Sequence, residues 1–269
     1  MEHGFTLEEV RQEVMSMGSL KAPGKDGYQP VFFHKCWSTV GEALFWFVGD
    51  CFVNPMQIGF INETLLVLIP KKESPEYIAQ FRPIGLCNVV YQTLAKCIVN
   101  RIKPHMRRLV HPTQTYFVSG RHITDIIIVQ EVVHSMGLKK GKKGQMFLKI
   151  DQAKAYDKLS WRFLHETLVA AGIPTHLTSV IMACVSSSSM QVMWNGGATE
   201  GFTPSRGLRQ GCPLSPYLFT LCKEILSHVI QEAVVKGAWK TIKASPGGPS
   251  LSHLFFADDL ILFAEASEE

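Results

Sequence analysis

Between Lys243 and Glu265 the chain carries only two formal charges, the adjacent Asp258 and Asp259, set between the apolar runs 251–256 and 260–264. Ionised carboxylates are rarely placed in apolar surroundings unless something compensates their charge. Strand, tight turn, strand is the reading that fits, with the aspartates at the turn of a buried hairpin. A hard divalent cation makes two clustered carboxylates tolerable, because it supplies the opposite charge. A polar hairpin tip without a ligand fits the same residues, so the rest of the chain has to choose between them.

The basic residues are unevenly spread. The net charge is +4, yet residues 70–150 hold 14 Lys/Arg against the four acids Glu73, Glu76, Asp125 and Glu131. That stretch is +10 and the remainder −6, which suits a polyanion held over an acidic metal site. Lysines on a solvated face account for part of it, including the Gly/Lys cluster at 139–143. No run of roughly 18 apolar residues predicts a membrane span, and the N-terminus lacks the order of a secretory signal. The seven cysteines include no Cys-x-x-Cys pair. They read as reduced, mostly buried thiols of an intracellular protein, nuclear or cytoplasmic, with no zinc site.

Local patterns predict the elements. Thr6 with Glu9 forms a capping signal for a helix over 6–17. Residues 31–53 read as two buried helical pieces. The run 65–69 reads as a strand stopped by Pro70, and 88–110 as a basic helix broken at Pro104. A second helix is expected over 123–136. Residues 147–150 read as a strand ending at Asp151, and 160–172 as a helix between Ser160 and Gly172. Residues 190–194 read as a strand entering an Asn195–Gly196 hairpin turn, and 214–235 as a long helix. Helices and antiparallel strands without regular alternation indicate an α+β fold.

Three segments carry the chemistry: the strand end at Asp151 with Asp157 six residues on, the Gly/Pro loop 207–216, and the Asp258–Asp259 hairpin. A carboxylate at a strand end and a pair at a hairpin tip converge if their strands are neighbours. Such a cluster suits two Mg²⁺ ions and in-line phosphoryl or nucleotidyl transfer.

Read in order, Ala22-Pro-Gly-Lys-Asp-Gly27, Leu68-Ile-Pro-Lys-Lys72, Phe81-Arg-Pro-Ile84 and Phe117-Val-Ser-Gly-Arg121 lead into Ile150-Asp-Gln-Ala-Lys-Ala-Tyr-Asp157. Gly207-Leu-Arg-Gln-Gly-Cys-Pro-Leu-Ser-Pro216 and Phe256-Ala-Asp-Asp259 follow. The sequence resembles, from end to end, the reverse transcriptase of plant non-LTR (LINE-type) retrotransposons. The resemblance implies a right-hand polymerase fold, with helical fingers over 1–145 and an antiparallel-sheet palm over 146–269. It implies metal-binding and catalytic roles for Asp151, Asp258 and Asp259, holding two Mg²⁺ with Mn²⁺ as a substitute. Tyr156 matches the steric-gate aromatic, which crowds the 2′ carbon of an incoming nucleotide. Lys71 and Arg82 match the basic finger residues that meet the triphosphate, and Gln210 and Gly211 match the loop against nucleotide and template. The implied partners are RNA template, DNA primer and dNTPs, with no membrane and no inferable protein partner. Arg209 reads equally as a phosphate contact or a structural ion pair. Asp157 reads as a helix-start residue or one that supports the ligands from behind, and His253 as packing.

Departures from the family pattern are Gln152, where a small or apolar residue is usual, Ser119 for proline, and Thr115–Tyr116 for Ser-Ala. The chain stops ten residues after Asp259. The thumb and primer grip are therefore expected to be absent, as in a retroelement fragment. The leading expectation is an RNA-directed DNA polymerase domain. The competing ones are an inactive fragment that retains nucleic-acid binding and, more weakly, a maturase-type protein.

Overall fold

In the computed structural model of the chain, the described residues are 3–114, 117–118, 134, 144–243, 248, 250–256 and 259–266. Apart from residue 134, the expected helix over 123–136 lies outside them, as do the lysine cluster at 139–143, Thr115–Tyr116, Ser119 and Asp258. The chain divides into two compact units, each made of two segments: 1–102 with 156–218, and 103–155 with 219–269.

The first unit begins with helix α1 (Leu7–Met15). Its capping box forms as expected: the Glu9 amide donates to Thr6 Oγ1 at 3.2 Å, and the Thr6 amide donates to Glu9 Oε2 at 2.8 Å. Val10 and Val14 are fully buried, and α1 packs against α3 (Trp37–Val53) and α4 (Val89–Ile102). The short α2 (Pro30–Lys35) precedes α3, so 30–53 is two helical pieces. The apolar stripe of α4, including Leu94 and Ile98, is also fully buried.

Strands β1 (Glu63–Pro70) and β2 (Phe81–Cys87) pair antiparallel from Thr64↔Cys87 to Pro70↔Phe81. On its other edge β1 pairs in parallel with β4 (Ser189–Trp194), which turns through Asn195–Gly196 into β5 (Gly197–Ala198). Both turn residues have positive φ, 48° and 81°, as a two-residue type I′ turn requires. The β1–β4 ladder is the one parallel ladder among the described strands; Gln114 makes an isolated parallel bridge to Phe255. Before β4 lie α7 (Trp161–Ala170) and α8 (Thr175–Ser186), packed on each other. Gly172 closes the first of them at φ 71°.

The second unit starts with the 3₁₀ turn Lys103–His105 and α5 (Met106–Leu109), so the basic helix does break at Pro104. Its sheet has the order β3–β9–β8, built from β3 (Gly144–Asp151), β8 (His253–Phe256) and β9 (Asp259–Ala266). A two-stranded ribbon, β6 (Ile242–Lys243) and β7 (Ser250–Leu251), accompanies it. Ile242, Leu251, Leu254 and Phe263 form a buried cluster against which Phe147 and Ile261 pack. Between β3 and α7 lies the one-turn helix α6 (Ala155–Lys158). The long α9 (Ser215–Val235) gives its first four residues to the first unit and the rest to the second. None of the described helices is long and apolar enough to cross a membrane.

Candidate active site

In the second unit, the strand patterns decide where the carboxylates go. The face of β3 that packs Phe147 against Phe263 (ring centroids 5.6 Å apart) is shared by Lys149 and Asp151 through the two-residue period. Asp151 is the last residue of β3 and lies directly opposite Asp259, the first residue of β9. Asp259 in turn pairs with Phe256 of β8, so the hairpin reaches its turn there. Like charges directly across a ladder repel, and one cation already answers them: Lys149 Nζ lies 3.1 Å from Asp259 Oδ2. That pair is partly exposed, so it contributes at most about 1 kcal/mol.

Two opposed carboxylates at a strand end are hard oxygen donors and fit a divalent cation of the Mg²⁺ type. Among the described residues no cluster of three or more His, Cys, Asp or Glu is placed to hold a metal. Asp258, the third expected ligand, lies outside them.

In the same unit, Gln152 and His253 acquire partners that the sequence did not announce. Gln152 accepts a 2.5 Å hydrogen bond at Oε1 from the buried Lys223 Nζ, which also sits 5.3 Å from the Phe219 and Phe255 rings. The unusual glutamine beside Asp151 is thus a polar partner of a buried ammonium. His253 is fully buried in β8 and is ringed by hydroxyls. Its Nε2 is 2.9 Å from Thr113 Oγ1 and from Ser227 Oγ, and its Nδ1 is 2.9 Å from Ser252 Oγ. Burial, with His111 stacked 6.0 Å away, lowers its pKa to about 4, so the ring is neutral and packed near pH 7.

The first unit holds the residues expected to meet a nucleotide. Arg82 is exposed on β2 opposite Ile69, near the free end of the β1–β2 hairpin. Lys71, just past β1, is pinned there: its amide donates to Gln80 O at 2.8 Å and its Nζ to Ala79 O at 3.2 Å. The loop 207–211 docks on both sides. The Gly85 amide of β2 donates to Gln210 O at 2.7 Å, and the Leu208 amide donates to Tyr156 O at 2.8 Å. Lys71, Arg82, Tyr156, Gln210 and Gly211 therefore belong to one hydrogen-bonded framework within one unit.

The glycines of this loop are required by the backbone. Gly211 has φ 100°, and a Cβ there would come within 2.5 Å of Gly85 O. Sequence reasoning assigned that space to nucleotide and template; the close approach that the structure shows is to β2. Gly207 (φ 90°) likewise leaves no room for a Cβ, which would sit 2.8 Å from Asp157 O. Asp157 itself occupies the first turn of α6, a helix-start position.

Arg209, between Leu208 and Gln210, is only 9% exposed. Its Nη1 donates to Thr64 Oγ1, and its Nη2 donates to Asn62 Oδ1 at 2.6 Å and, more weakly, to Cys184 O at 3.5 Å. The guanidinium lies 4.4 Å from the Tyr91 ring centroid. It has no ion-pair partner among the described residues, so the structural reading holds but the ion pair does not. Burial pushes the Tyr91 hydroxyl and the Cys184 thiol well above their ordinary pKa values, and the Cys87 thiol to about 11. All three are neutral near pH 7. The charge of Arg209 is therefore met by dipoles and a ring face. A cavity of about 210 Å³, lined in part by Tyr91, Asp157, Cys184, Arg206, Arg209 and Cys212, adjoins it. Asn62, Thr64, Tyr91 and Gly85 were missed by sequence reasoning. No local signal marks them, because each works through a partner far along the chain.

Comparison with known proteins adds an independent line. The family model described as reverse transcriptase (RNA-dependent DNA polymerase) matches residues 69–269. Over 98% of its length the chain is 29% identical to 20% of the transposon TX1 uncharacterized 149 kDa protein of Xenopus laevis. Over 97% of its length it is 27% identical to 23% of the retrovirus-related Pol polyprotein from the type-2 retrotransposable element R2DM of Drosophila melanogaster. A 64-residue stretch is 55% identical to the uncharacterized mitochondrial protein AtMg01250 of Arabidopsis thaliana, covering 23% of this chain and 52% of that protein. The chain spans about a fifth of the length of the first two relatives. Among solved structures, apo telomerase from Candida tropicalis, truncated from the C-terminal domain, superposes with a TM-score of 0.53 at 14% identity. That match covers 78% of this chain and 45% of the telomerase chain, and it speaks for the fold.

Proposed function

This chain belongs to the reverse transcriptase family, and from that premise we propose that it is an RNA-directed DNA polymerase domain of the non-LTR retrotransposon type. The proposed reaction extends a primer 3′-hydroxyl on an RNA template, taking the nucleotidyl group from a dNTP with loss of pyrophosphate. The opposition of Asp151 and Asp259 across the β3–β9 ladder carries this reading, because it brings together carboxylates from two distant segments at a strand end.

In the proposed site, Asp151, Asp258 and Asp259 hold two Mg²⁺ ions, with Mn²⁺ as a substitute. Bound there, the ions would ease deprotonation of the primer hydroxyl and neutralise charge on the leaving pyrophosphate. The protein's own groups do the positioning. Arg82 offers a planar fork to phosphate oxygens and Lys71 a point charge. The Tyr156 ring crowds the 2′ carbon, which disfavours ribonucleotides. Gln210 offers a donor and an acceptor, and Gly211 keeps the loop close to β2. Catalysis then comes from orientation and charge compensation, with no covalent enzyme intermediate.

The basic stretch 70–150 supports template and primer as polyanionic partners. Residues 1–145 as fingers and 146–269 as palm remain the proposed functional division. Nucleic-acid substrates place the proposed action inside the cell, nuclear or cytoplasmic.

The test is primer extension by the chain on an RNA template with Mg²⁺, compared with Asp151→Asn. Extension that the variant abolishes supports the reading. Template binding that weakens with salt, without extension under any divalent cation, overturns it in favour of a nucleic-acid-binding remnant.

A further inference from the structure

Arg209 does not reach the exposed hairpin end where Arg82 and Lys71 stand, yet it sits inside the same framework. Its side chain reaches β1 at Thr64 and the residue just before β1 at Asn62, and it contacts the last turns of α8 at the Cys184 carbonyl. Its backbone neighbours on either side make the two docking bonds of the loop, Leu208 to Tyr156 and Gln210 to Gly85. A buried cation that spends its donors on neutral oxygens is costly unless the geometry is kept. Keeping it fixes the loop relative to β1, and Lys71 directly follows β1.

We propose that Arg209 is a positioning residue: its buried guanidinium ties the 207–211 loop to β1, holding Gln210 and Gly211 in fixed register with Tyr156, Arg82 and Lys71. The inference rests on the nucleotide-binding role proposed for those residues. It assigns to Arg209 neither a phosphate contact nor a step in the reaction. The second observation is steric. A Cβ on Gly85 would press on Arg209 Cγ at 2.9 Å and on Gln210 O at 3.0 Å, so β2 and the arginine stem are packed without slack.

The test uses hydrogen–deuterium exchange and primer extension on the whole chain with Arg209→Met, Arg209→Lys and Thr64→Val. Exchange is read at the Gly85 and Leu208 amides, with the Ile98 amide in α4 as internal reference. In Arg209→Met, the two loop-docking amides exchange roughly tenfold faster or more, the scale of a lost charge-assisted hydrogen bond, while Ile98 changes little. Arg209→Lys recovers part of that protection. The dNTP KM rises more than kcat falls. Thr64→Val removes one acceptor while keeping the side-chain shape; it gives the same pattern at smaller amplitude and decides the matter if Arg209→Met does not fold. Equal acceleration at Gly85, Leu208 and Ile98 overturns the proposal, because that is general loss of stability. Unchanged exchange at Gly85 and Leu208 overturns it as well. Local acceleration in a chain that never extends a primer leaves the tether standing and defeats the polymerase reading instead.

Discussion

Asp151 faces Asp259 directly across the β3–β9 ladder, at the point where β3 ends and β9 begins. The two carboxylates repel, and Lys149 answers one of them from the same face of β3. This arrangement is cheap to rearrange, since the ion pair is partly exposed and contributes at most about 1 kcal/mol.

A divalent cation that binds the native state alone raises its stability. Millimolar Mg²⁺ is expected to raise the melting temperature of the chain. Asp151→Asn and Asp259→Asn are expected to remove that shift while altering stability without metal by no more than about 1 kcal/mol. Differential scanning calorimetry with and without Mg²⁺ reads both quantities. A shift that survives in both variants would place the cation elsewhere.

Gly211→Ala combines positive φ with a 2.5 Å approach to Gly85 O. The backbone strain alone costs about 1–3 kcal/mol, and the contact with β2 adds to it. Gly27→Ala serves as control: Gly27 has φ 76° and nothing within 4 Å of a Cβ, so it carries the strain without the contact. Urea denaturation is expected to show a larger loss for Gly211→Ala than for Gly27→Ala. Equal losses would mean that the loop yields freely against β2.

His253 makes stability depend on pH. Its folded pKa of about 4 lies below the ordinary value of 6.5, so between those values the unfolded chain binds the extra proton. The contribution is fully present above pH 6.5 and is lost as pH falls through 4, on the order of 3 kcal/mol for complete loss. Trp239, whose Nε1 donates to Phe263 O at 2.8 Å in the same unit, is a fluorescent reporter. Urea midpoints followed there at pH 7.5 and pH 5 are expected to fall with pH in the parent and to change much less in His253→Asn.

Thiol reactivity follows burial. Cys51, Cys87, Cys97, Cys184, Cys212 and Cys222 are buried and Cys36 is half-buried. Burial raises Cys51 and Cys97 to about 12 and Cys87 to about 11, which leaves almost no thiolate near pH 8. An aromatic disulfide reagent is expected to modify Cys36 first and the others only on unfolding. Peptide mapping after brief labelling checks the assignment, and fast labelling of Cys184 would contradict the packing around Arg209.

Much of the fold was legible because it is written over short distances. The Thr6–Glu9 cap, the Asn195–Gly196 turn, the break at Pro104 and the strand ending at Asp151 depend on residues within a few positions of one another. Helix α8 was passed over although Leu177, Val180, Ile181 and Cys184 mark its buried face at helical spacing. Its serines, threonines and valines are weak helix formers, and packing against α7 and the 55–60 turn supplies what propensity lacks. Strand β2 went unnamed because a proline and a glycine interrupt it.

The sequence by itself determined the family motifs and the α+β class, and it supplied the carboxylates and basic residues proposed for the polymerase site. Those are properties of residue type and local spacing, and they survive without knowing which strands meet. Only the tertiary structure decided that β1 and β4 pair in parallel, that Asp151 falls in register with Asp259, and that Gly211 is shaped by Gly85. The same holds for Arg209, whose partners Thr64 and Asn62 lie 145 and 147 residues away. The physical reason is that register and burial are set by contacts between distant segments, and such contacts leave no periodicity near either residue.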